Sequence, residues 1–113
     1  MKKLFLLSVL LISCIAANAI SYRVKYNVTD REDASFIVIP SHDKVVINND
    51  TFSLRRLGTI TSSGLTFNSF CYGQNDNMLC ISTSYIMVED LFKKVTGFVI
   101  MIDNKAYLAD KIN

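Results

Sequence analysis

The stretch Tyr22-Arg23-Val24-Lys25-Tyr26-Asn27-Val28 decides the fold class, because apolar or aromatic residues alternate with polar residues along its whole length. Successive side chains of a β-strand point to opposite faces of a sheet, so this alternation predicts a strand with one buried face and one wet face. A strand of this kind needs neighbouring strands, and the rest of the chain supplies candidates for them.

Short runs rich in β-branched and aromatic residues follow this stretch at intervals of about eight to twelve residues. These runs are residues 35–39, 44–47, 51–54, 57–61, 65–71, 78–83, 97–102 and 106–112. Turn residues separate them, and Asn48-Asn49-Asp50, Ser62-Ser63-Gly64 and Asp103-Asn104-Lys105 favour hairpins. The spacing predicts a mainly β fold, either a small antiparallel barrel or a sandwich.

One segment departs from the β pattern and predicts a short helix near residues 85–95. Its apolar residues at helical spacing are Val88, Leu91, Phe92 and Val95. Glu89 and Lys93 form an acid-before-base pair four residues apart, which supports a helix. Gly97 lies just past the end of the segment, where helices commonly stop.

Residues 1–19 have the order of a secretory signal peptide. Lys2 and Lys3 precede an apolar run over residues 4–15, and Ala17-Asn18-Ala19 is a small-x-small cleavage site. The run is shorter than the roughly 20 apolar residues that a membrane-spanning helix needs. The sequence therefore predicts a signal peptide over residues 1–19 and a single exported domain over residues 20–113, periplasmic or secreted.

The same segment also supports a second interpretation. Leu11-Ile12-Ser13-Cys14 resembles a bacterial lipobox, in which the cysteine becomes the lipidated first residue of the mature protein. Under the first interpretation the mature chain begins at Ile20 and is not anchored. Under the second it begins at Cys14 and acyl chains hold it on a bacterial membrane. Both alternatives place the domain outside the cytoplasm.

The charge of the exported domain argues against nucleic acid as a partner. Lys2 and Lys3 are two of the twelve basic residues, which leaves ten basic residues against ten acidic ones from Ile20 onward. The basic pairs Arg55-Arg56 and Lys93-Lys94 do not make an extended basic stripe. Nucleic-acid binding depends on clustered cations that displace phosphate counterions.

Two cysteines, Cys71 and Cys80, remain after export, and they flank the turn Gly73-Gln74-Asn75-Asp76-Asn77. An even number of cysteines in an oxidising compartment predicts a disulfide, here one that joins the two arms of a hairpin. Closing so small a loop would stabilise the fold by roughly 2–3 kcal/mol. The alternative is a pair of buried free thiols.

The residues that could carry catalysis are few. His42 is the single histidine and has no second histidine or cysteine at ligand spacing, so the sequence predicts no metal site. No serine lies in Gly-x-Ser-x-Gly, and the four glycines form no phosphate-binding loop. We therefore expect no enzyme activity and no cofactor.

The most suggestive segment is Thr61-Ser62-Ser63-Gly64-Leu65-Thr66-Phe67, between two predicted strands. It resembles the Ser-x-Ser-Gly-x-x-Tyr loop of the membrane-bound c-type lysozyme inhibitors, a family of exported or lipidated small antiparallel barrels. Thr61 stands at the first serine, Ser63 and Gly64 match, and Phe67 stands at the tyrosine. The resemblance implies that Thr61, Ser63, Gly64 and Phe67 bind a protein partner. It also implies that Ser63 meets the catalytic carboxylates of lysozyme, to which a neutral hydroxyl can donate.

The resemblance covers about a third of the chain, and the family's Trp-x-Lys-Gly loop has no match because the chain contains no tryptophan. The comparable turn, Tyr72-Gly73-Gln74-Asn75, carries no lysine. We expect a small exported binding protein without catalytic activity that presents a loop, residues 61–67 or 72–77, to a protein partner such as lysozyme. The alternative is an envelope lipoprotein, encoded by a phage or a bacterium, that contacts a membrane only through Cys14.

Overall fold

The computed structural model describes residues 20–112, and these residues form an all-β fold without a helix. The eight strands are β1 (Tyr22–Asn27), β2 (Glu32–Pro40), β3 (Lys44–Ile47), β4 (Asp50–Ser62), β5 (Leu65–Tyr72), β6 (Asn77–Asp90), β7 (Lys93–Ile102) and β8 (Lys105–Lys111). Each strand pairs with the next in antiparallel fashion, and β8 pairs with β1 to close a barrel. The predicted mainly β fold is confirmed, and of the two predicted architectures the chain adopts the barrel.

Tight turns set the register of this up-and-down barrel. Asn48 and Asn49, with φ of 52° and 72°, connect β3 to β4, and Asp103 and Asn104, with φ of 50° and 69°, connect β7 to β8. Two successive positive φ angles are typical of the type I′ turn, whose twist matches that of the flanking strands. Asn and Asp tolerate this conformation better than other side chains, which is why these turn signals were readable in the sequence.

The barrel interior is packed solid at mid-height. Val38, Val45, Leu79 and Ile100 are fully buried there, each from a different strand. Eight strands enclose only enough space for side chains, or for one small ligand at a mouth.

The packed layer separates two mouths of the barrel. The mouth beside the loops that follow β1, β3, β5 and β7 is called the β1–β2 end, and the mouth beside the loops that follow β2 and β4 is called the β2–β3 end.

A β-bulge at Lys25 turns the last part of β1 outward. The register of β1 shifts between Val24 and Tyr26 against both β2 and β8, so these two residues face opposite sides of the wall. Val24 belongs to the interior core, whereas Tyr26 packs on the outside. Tyr26 thereby joins an outer apolar cluster made of Tyr26, Phe67, Cys80, Val99 and Leu108.

The distal part of the β6–β7 hairpin, residues 85–97, folds over this outer cluster, and we call it the flap. β7 pairs with β8 only from Phe98 onward. At Gly97 the backbones come so close that a Cβ atom would lie 2.9 Å from the carbonyl oxygen of Ala109. The flap then crosses β8 and β1, where Lys93 pairs with Asp33 at the start of β2. Ile86, Val88 and Val95 of the flap pack against the outer cluster.

The prediction of a helix near residues 85–95 is wrong, because this segment is the flap hairpin. Val88 lies opposite Val95, and Glu89 lies opposite Lys94 with 3.8 Å between their charged groups. Residues that helical spacing would place on one face are therefore cross-strand neighbours instead. Leu91 and Phe92, which a helix would bury, occupy the exposed turn. Within residues 20–112 no helix exists that could traverse a bilayer.

The predicted disulfide between Cys71 and Cys80 is absent, because both residues are buried free thiols. Cys71 lies directly opposite Met78 in the β5–β6 ladder, and Cys80 lies opposite Ser69. The two cysteines are thus diagonal neighbours, whose Cα atoms are about 7–8 Å apart in an antiparallel pair. A disulfide needs Cα atoms no more than about 6.8 Å apart. The turn between the strands, not the cysteines, determines this register.

Candidate functional site

The β4–β5 hairpin extends beyond the rest of the barrel at the β2–β3 end. β3 pairs with β4 only as far as Ser53, and β6 pairs with β5 only from Phe67 onward. The last pairs of the hairpin, Thr61 with Thr66 and Ser62 with Leu65, therefore have no third strand beside them. Their ladder continues to the turn, so the tip is held by backbone hydrogen bonds although its side chains are exposed.

The turn itself is tight and carries small side chains. Ser63 and Gly64 connect the strands with φ of 52° and 78°, both in the left-handed region. A glycine adopts that conformation without strain, and a short hydroxyl side chain tolerates it in a turn. Thr61, Ser63 and Gly64 are all exposed at the tip. The structure therefore brings three residues of the predicted binding set together at one exposed tip.

Phe67, the fourth residue of the predicted binding set, is placed elsewhere. Its side chain is only 3% exposed and packs in the outer apolar cluster. It anchors the base of the hairpin and is not available to a partner surface. The second predicted loop, residues 72–77, lies at the β1–β2 end, at the other mouth of the barrel. The two predicted loops therefore do not form one surface.

The hairpin bends at Gly58, next to an irregularity in the pairing of β4 with β5 between Arg56 and Gly58. Gly58 has a φ of 133°, which side chains rarely adopt. On the tip side of this bend, residues 59–66 carry no charged side chain but have five hydroxyls, from Thr59, Thr61, Ser62, Ser63 and Thr66. The tip is thus neutral and rich in hydrogen-bond donors and acceptors.

The mouth at the β1–β2 end is lined by aromatic residues and acids. The Tyr72 hydroxyl donates a hydrogen bond of 2.7 Å to Oδ2 of Asp103. Burial of the phenol, followed by this carboxylate, raises the pKa of Tyr72 well above its ordinary value. Phe52 stacks edge-on against Tyr72, with 5.4 Å between ring centroids. These residues line a cavity of about 340 Å³ at this mouth. The hydrogen bond from Tyr72 joins the end of β5 to the loop after β7.

No constellation for catalysis is found in the part of the chain that the structure describes. His42 is exposed in the loop between β2 and β3 and forms no hydrogen bond to a serine or an acid within residues 20–112. No three His, Cys, Asp or Glu side chains of these residues are grouped to hold a metal ion. Cys14, the predicted lipidation site, lies outside the described residues, as does the whole predicted signal peptide.

Sequence reasoning missed two residues that the structure makes prominent. Tyr26 faces outward and hydrogen-bonds the flap, a position that depends on the bulge at Lys25. Arg56 lies at the inner rim of the β2–β3 end, whereas its neighbour Arg55 lies on the outer wall. Adjacent residues of a strand point to opposite faces of the sheet. The sequence Arg55-Arg56 in a strand therefore indicates that one arginine faces the interior of the barrel and the other faces outward.

Comparison of the chain with protein-family models, with curated proteins and with solved structures finds no match. The candidate sites are therefore defined by the geometry and chemistry described above.

Proposed function

We propose that this protein is a small non-enzymatic binding protein that presents the tip of its β4–β5 hairpin to a protein partner. One observation carries the proposal. The hairpin extends past its neighbouring strands and remains paired up to a two-residue turn, with Thr61, Ser63 and Gly64 exposed. A preformed loop loses little conformational entropy on binding, which is how rigid inhibitory loops gain affinity.

Lysozyme is the partner that the chemistry of the tip favours. Glycosidases of this kind hold two carboxylates in one cleft. A neutral hydroxyl such as that of Ser63 donates to a carboxylate without adding negative charge, and the absence of acids from residues 59–66 avoids repulsion. The closed antiparallel barrel also supports the proposal, since it agrees with the architecture that the resemblance to the lysozyme inhibitors implies.

The test is inhibition of a c-type lysozyme, followed by calorimetric titration of the same pair. The Ser63→Gly variant removes the hydroxyl and keeps a residue that accepts the positive φ, so the turn is preserved. Ser62→Ala is the matched control one residue away, where φ is not positive. We expect Ser63→Gly to weaken binding by about tenfold or more, as loss of a hydrogen bond to a charged group does, and Ser62→Ala to leave it unchanged.

Two results would contradict this proposal at different levels. If the unmodified protein neither inhibits nor binds lysozyme, lysozyme is not the partner. If Ser63→Gly and Ser62→Ala weaken binding equally, Ser63 does not have the proposed role, although the hairpin can still be the contact.

We further propose that the domain acts outside the cytoplasm, as the features of residues 1–19 predict. The intact mass of protein isolated from the envelope of a bacterial host distinguishes the two modes of export. A mass beginning at Ile20 indicates signal-peptide cleavage, and a mass beginning at Cys14 with added acyl chains indicates an anchored lipoprotein. Retention of Met1 would overturn export.

A further inference from the structure

The mouth at the β2–β3 end contains a cavity of about 530 Å³. Its lining includes Tyr22, Arg56, Phe70, Ile81 and Lys111. This volume falls within the range of about 300–1,000 Å³ that is usual for small-molecule sites. The cavity is distinct from the hairpin tip, since it lies inside the barrel wall, and the inference drawn from it does not rest on the proposed partner of Ser63.

The floor of the cavity is apolar and closed. Tyr22, Phe70 and Ile81 are buried side chains of three different strands that face the barrel interior. Val38 and Leu79 are fully buried and do not line the cavity, and no residue lines both this cavity and the one at the β1–β2 end, so the two mouths are separate. A site of this form accepts an apolar group from the open end and removes it from water.

The rim of the cavity carries charge of one sign. Arg56 and Lys111 supply positive charge to it, His42 lies on the same lining, and no Asp or Glu does so. The domain from Ile20 onward has equal numbers of acidic and basic residues, so a rim with only basic residues is a local arrangement and not a consequence of composition. A cavity that has apolar walls, and whose charged rim residues are all cationic, attracts an anion.

Arg56 is the cation best placed to hold that anion. Its guanidinium lies over the ring of Phe70, 5.3 Å from the centroid, and no carboxylate of residues 20–112 lies within ion-pair distance of it. Its neighbour Arg55, on the outer wall of the same strand, instead pairs with Asp76 at 3.7 Å. A guanidinium presents parallel N–H donors that match the two oxygens of a carboxylate.

We propose that the β2–β3 end of the barrel binds a small amphipathic organic acid. Its carboxylate pairs with Arg56 at the rim, and its apolar body lies on Tyr22, Phe70 and Ile81. Lys111 adds a second positive charge to the same rim, and Asn68 and Thr83 offer further hydrogen bonds. The ligand class is therefore a monocarboxylate with an aliphatic or aromatic body of moderate size.

The experiment titrates the purified protein by calorimetry with three probes that separate charge from apolar contact. Octanoate carries both features, 1-octanol carries only the chain, and acetate carries only the charge. We expect saturable binding of octanoate with one site per barrel, at least about tenfold weaker binding of 1-octanol, and no measurable binding of acetate. Absence of octanoate binding, or equal affinity for octanoate and 1-octanol, would overturn the proposal.

Arg55 provides a matched control for the role of Arg56. Arg56→Gln and Arg55→Gln remove the same charge from adjacent positions of β4, one at the cavity rim and one on the outer wall. We expect Arg56→Gln to weaken octanoate binding by about tenfold or more, and Arg55→Gln to change it by less than about twofold. Equal effects of the two variants would overturn the assignment, because bulk charge would then explain the binding.

Thermal unfolding of both variants checks that the barrel is intact, and Ser63→Gly provides a second check. That variant lies outside the cavity and should bind octanoate as tightly as the unmodified protein. A loss of octanoate binding in Ser63→Gly would overturn the separation of the cavity from the hairpin tip.

Discussion

The hydroxyl of Tyr26 donates a hydrogen bond of 2.8 Å to Oδ2 of Asp90, a residue 64 positions away in the sequence. This contact joins the end of β1 to the turn end of β6. Lys93, across the turn from Asp90, lies over the ring of Tyr26 and pairs with Asp33. These polar contacts hold the far end of the flap, while the outer apolar cluster holds its underside.

Tyr26→Phe should loosen the flap without unfolding the barrel. The ring keeps its packing in the outer cluster, whereas the hydrogen bond to Asp90 is lost. We expect amide hydrogen exchange of residues 86–95 to accelerate by up to about tenfold, and exchange in β3 and β4 to stay unchanged. Asp33→Asn removes the ion pair with Lys93 and tests that contact by the same measurement. Uniform acceleration over the whole barrel would show that the flap and the barrel unfold as one unit.

How far the fold could be predicted is clearest from the turns. Asn48-Asn49 and Asp103-Asn104 were recognisable because their side chains suit positive φ, and both hairpins occur where predicted. Leu91-Phe92 carries no such signal, so the spacing of the apolar residues around this turn predicts a helix instead. Apolar residues of two short antiparallel arms can match helical spacing by coincidence, and only the pairing partner distinguishes the two cases.

The candidate site was predictable only in part, because the face of the barrel wall to which a side chain points depends on the register of the strand pairing. Thr61, Ser63 and Gly64 form the exposed tip as the local sequence indicated, but burial of Phe67 depends on the outer cluster, which no local pattern reveals. Arg56, which has no ion-pair partner within residues 20–112, likewise owes its position to the point where the pairing of β3 with β4 stops. Irregularities at Lys25 and near Gly58 shift these registers. The bulge at Lys25 has no glycine or proline to mark it in the sequence.

Leu91 occupies the turn of the flap with a φ of 44°, in the left-handed region that bulky side chains disfavour. Its side chain is 91% exposed, so it gains almost nothing from packing in return. We expect Leu91→Asn to stabilise the protein by about 1 kcal/mol, measured by urea unfolding, because asparagine accepts this conformation. Phe92→Asn is the control, since Phe92 has no positive φ, and it should bring no comparable gain.

Cys71 and Cys80 should both react as thiols when the protein is unfolded without reductant. Their sulfurs lie 3.8 Å from Met78 Sδ and from Ser69 Oγ respectively, not within bonding distance of each other. Alkylation in denaturant followed by mass measurement should label both residues, whereas the folded protein should react slowly because both are buried. Reductant should leave the unfolding midpoint unchanged, since a disulfide would contribute about 2–4 kcal/mol. Loss of the two thiols in unreduced protein would contradict the structure.

Gly97→Ala should destabilise the junction between the flap and the barrel. The added Cβ would lie 2.9 Å from the carbonyl oxygen of Ala109 and 3.0 Å from its nitrogen, and backbone atoms cannot move aside as a flexible side chain can. We expect a loss of about 1–3 kcal/mol in the free energy of unfolding, the usual cost of overpacking. Thr96→Ala, one residue away, is the control and should cost less. Equal losses for the two variants would show that the close approach to β8 is not the cause.

Tyr72 should make the stability of the barrel depend on pH in alkaline solution. Burial and the hydrogen bond to Asp103 raise the pKa of Tyr72 above its ordinary value of 10.0. The unfolded chain therefore releases this proton at lower pH than the folded protein does. The free energy of unfolding is unaffected by the group below about pH 10 and falls as the pH rises above it, because ionisation then favours the unfolded chain.

Tyr72→Phe should reduce this alkaline loss of stability, although it should also lower stability at neutral pH through the missing hydrogen bond. The pKa of Tyr22 is raised by burial, and that of Tyr26 by the hydrogen bond to Asp90, so part of the pH dependence should remain in the variant. Urea unfolding at a series of pH values from neutral to alkaline measures both effects. The two curves should converge as the pH rises, and parallel curves would show that Tyr72 is not the residue responsible.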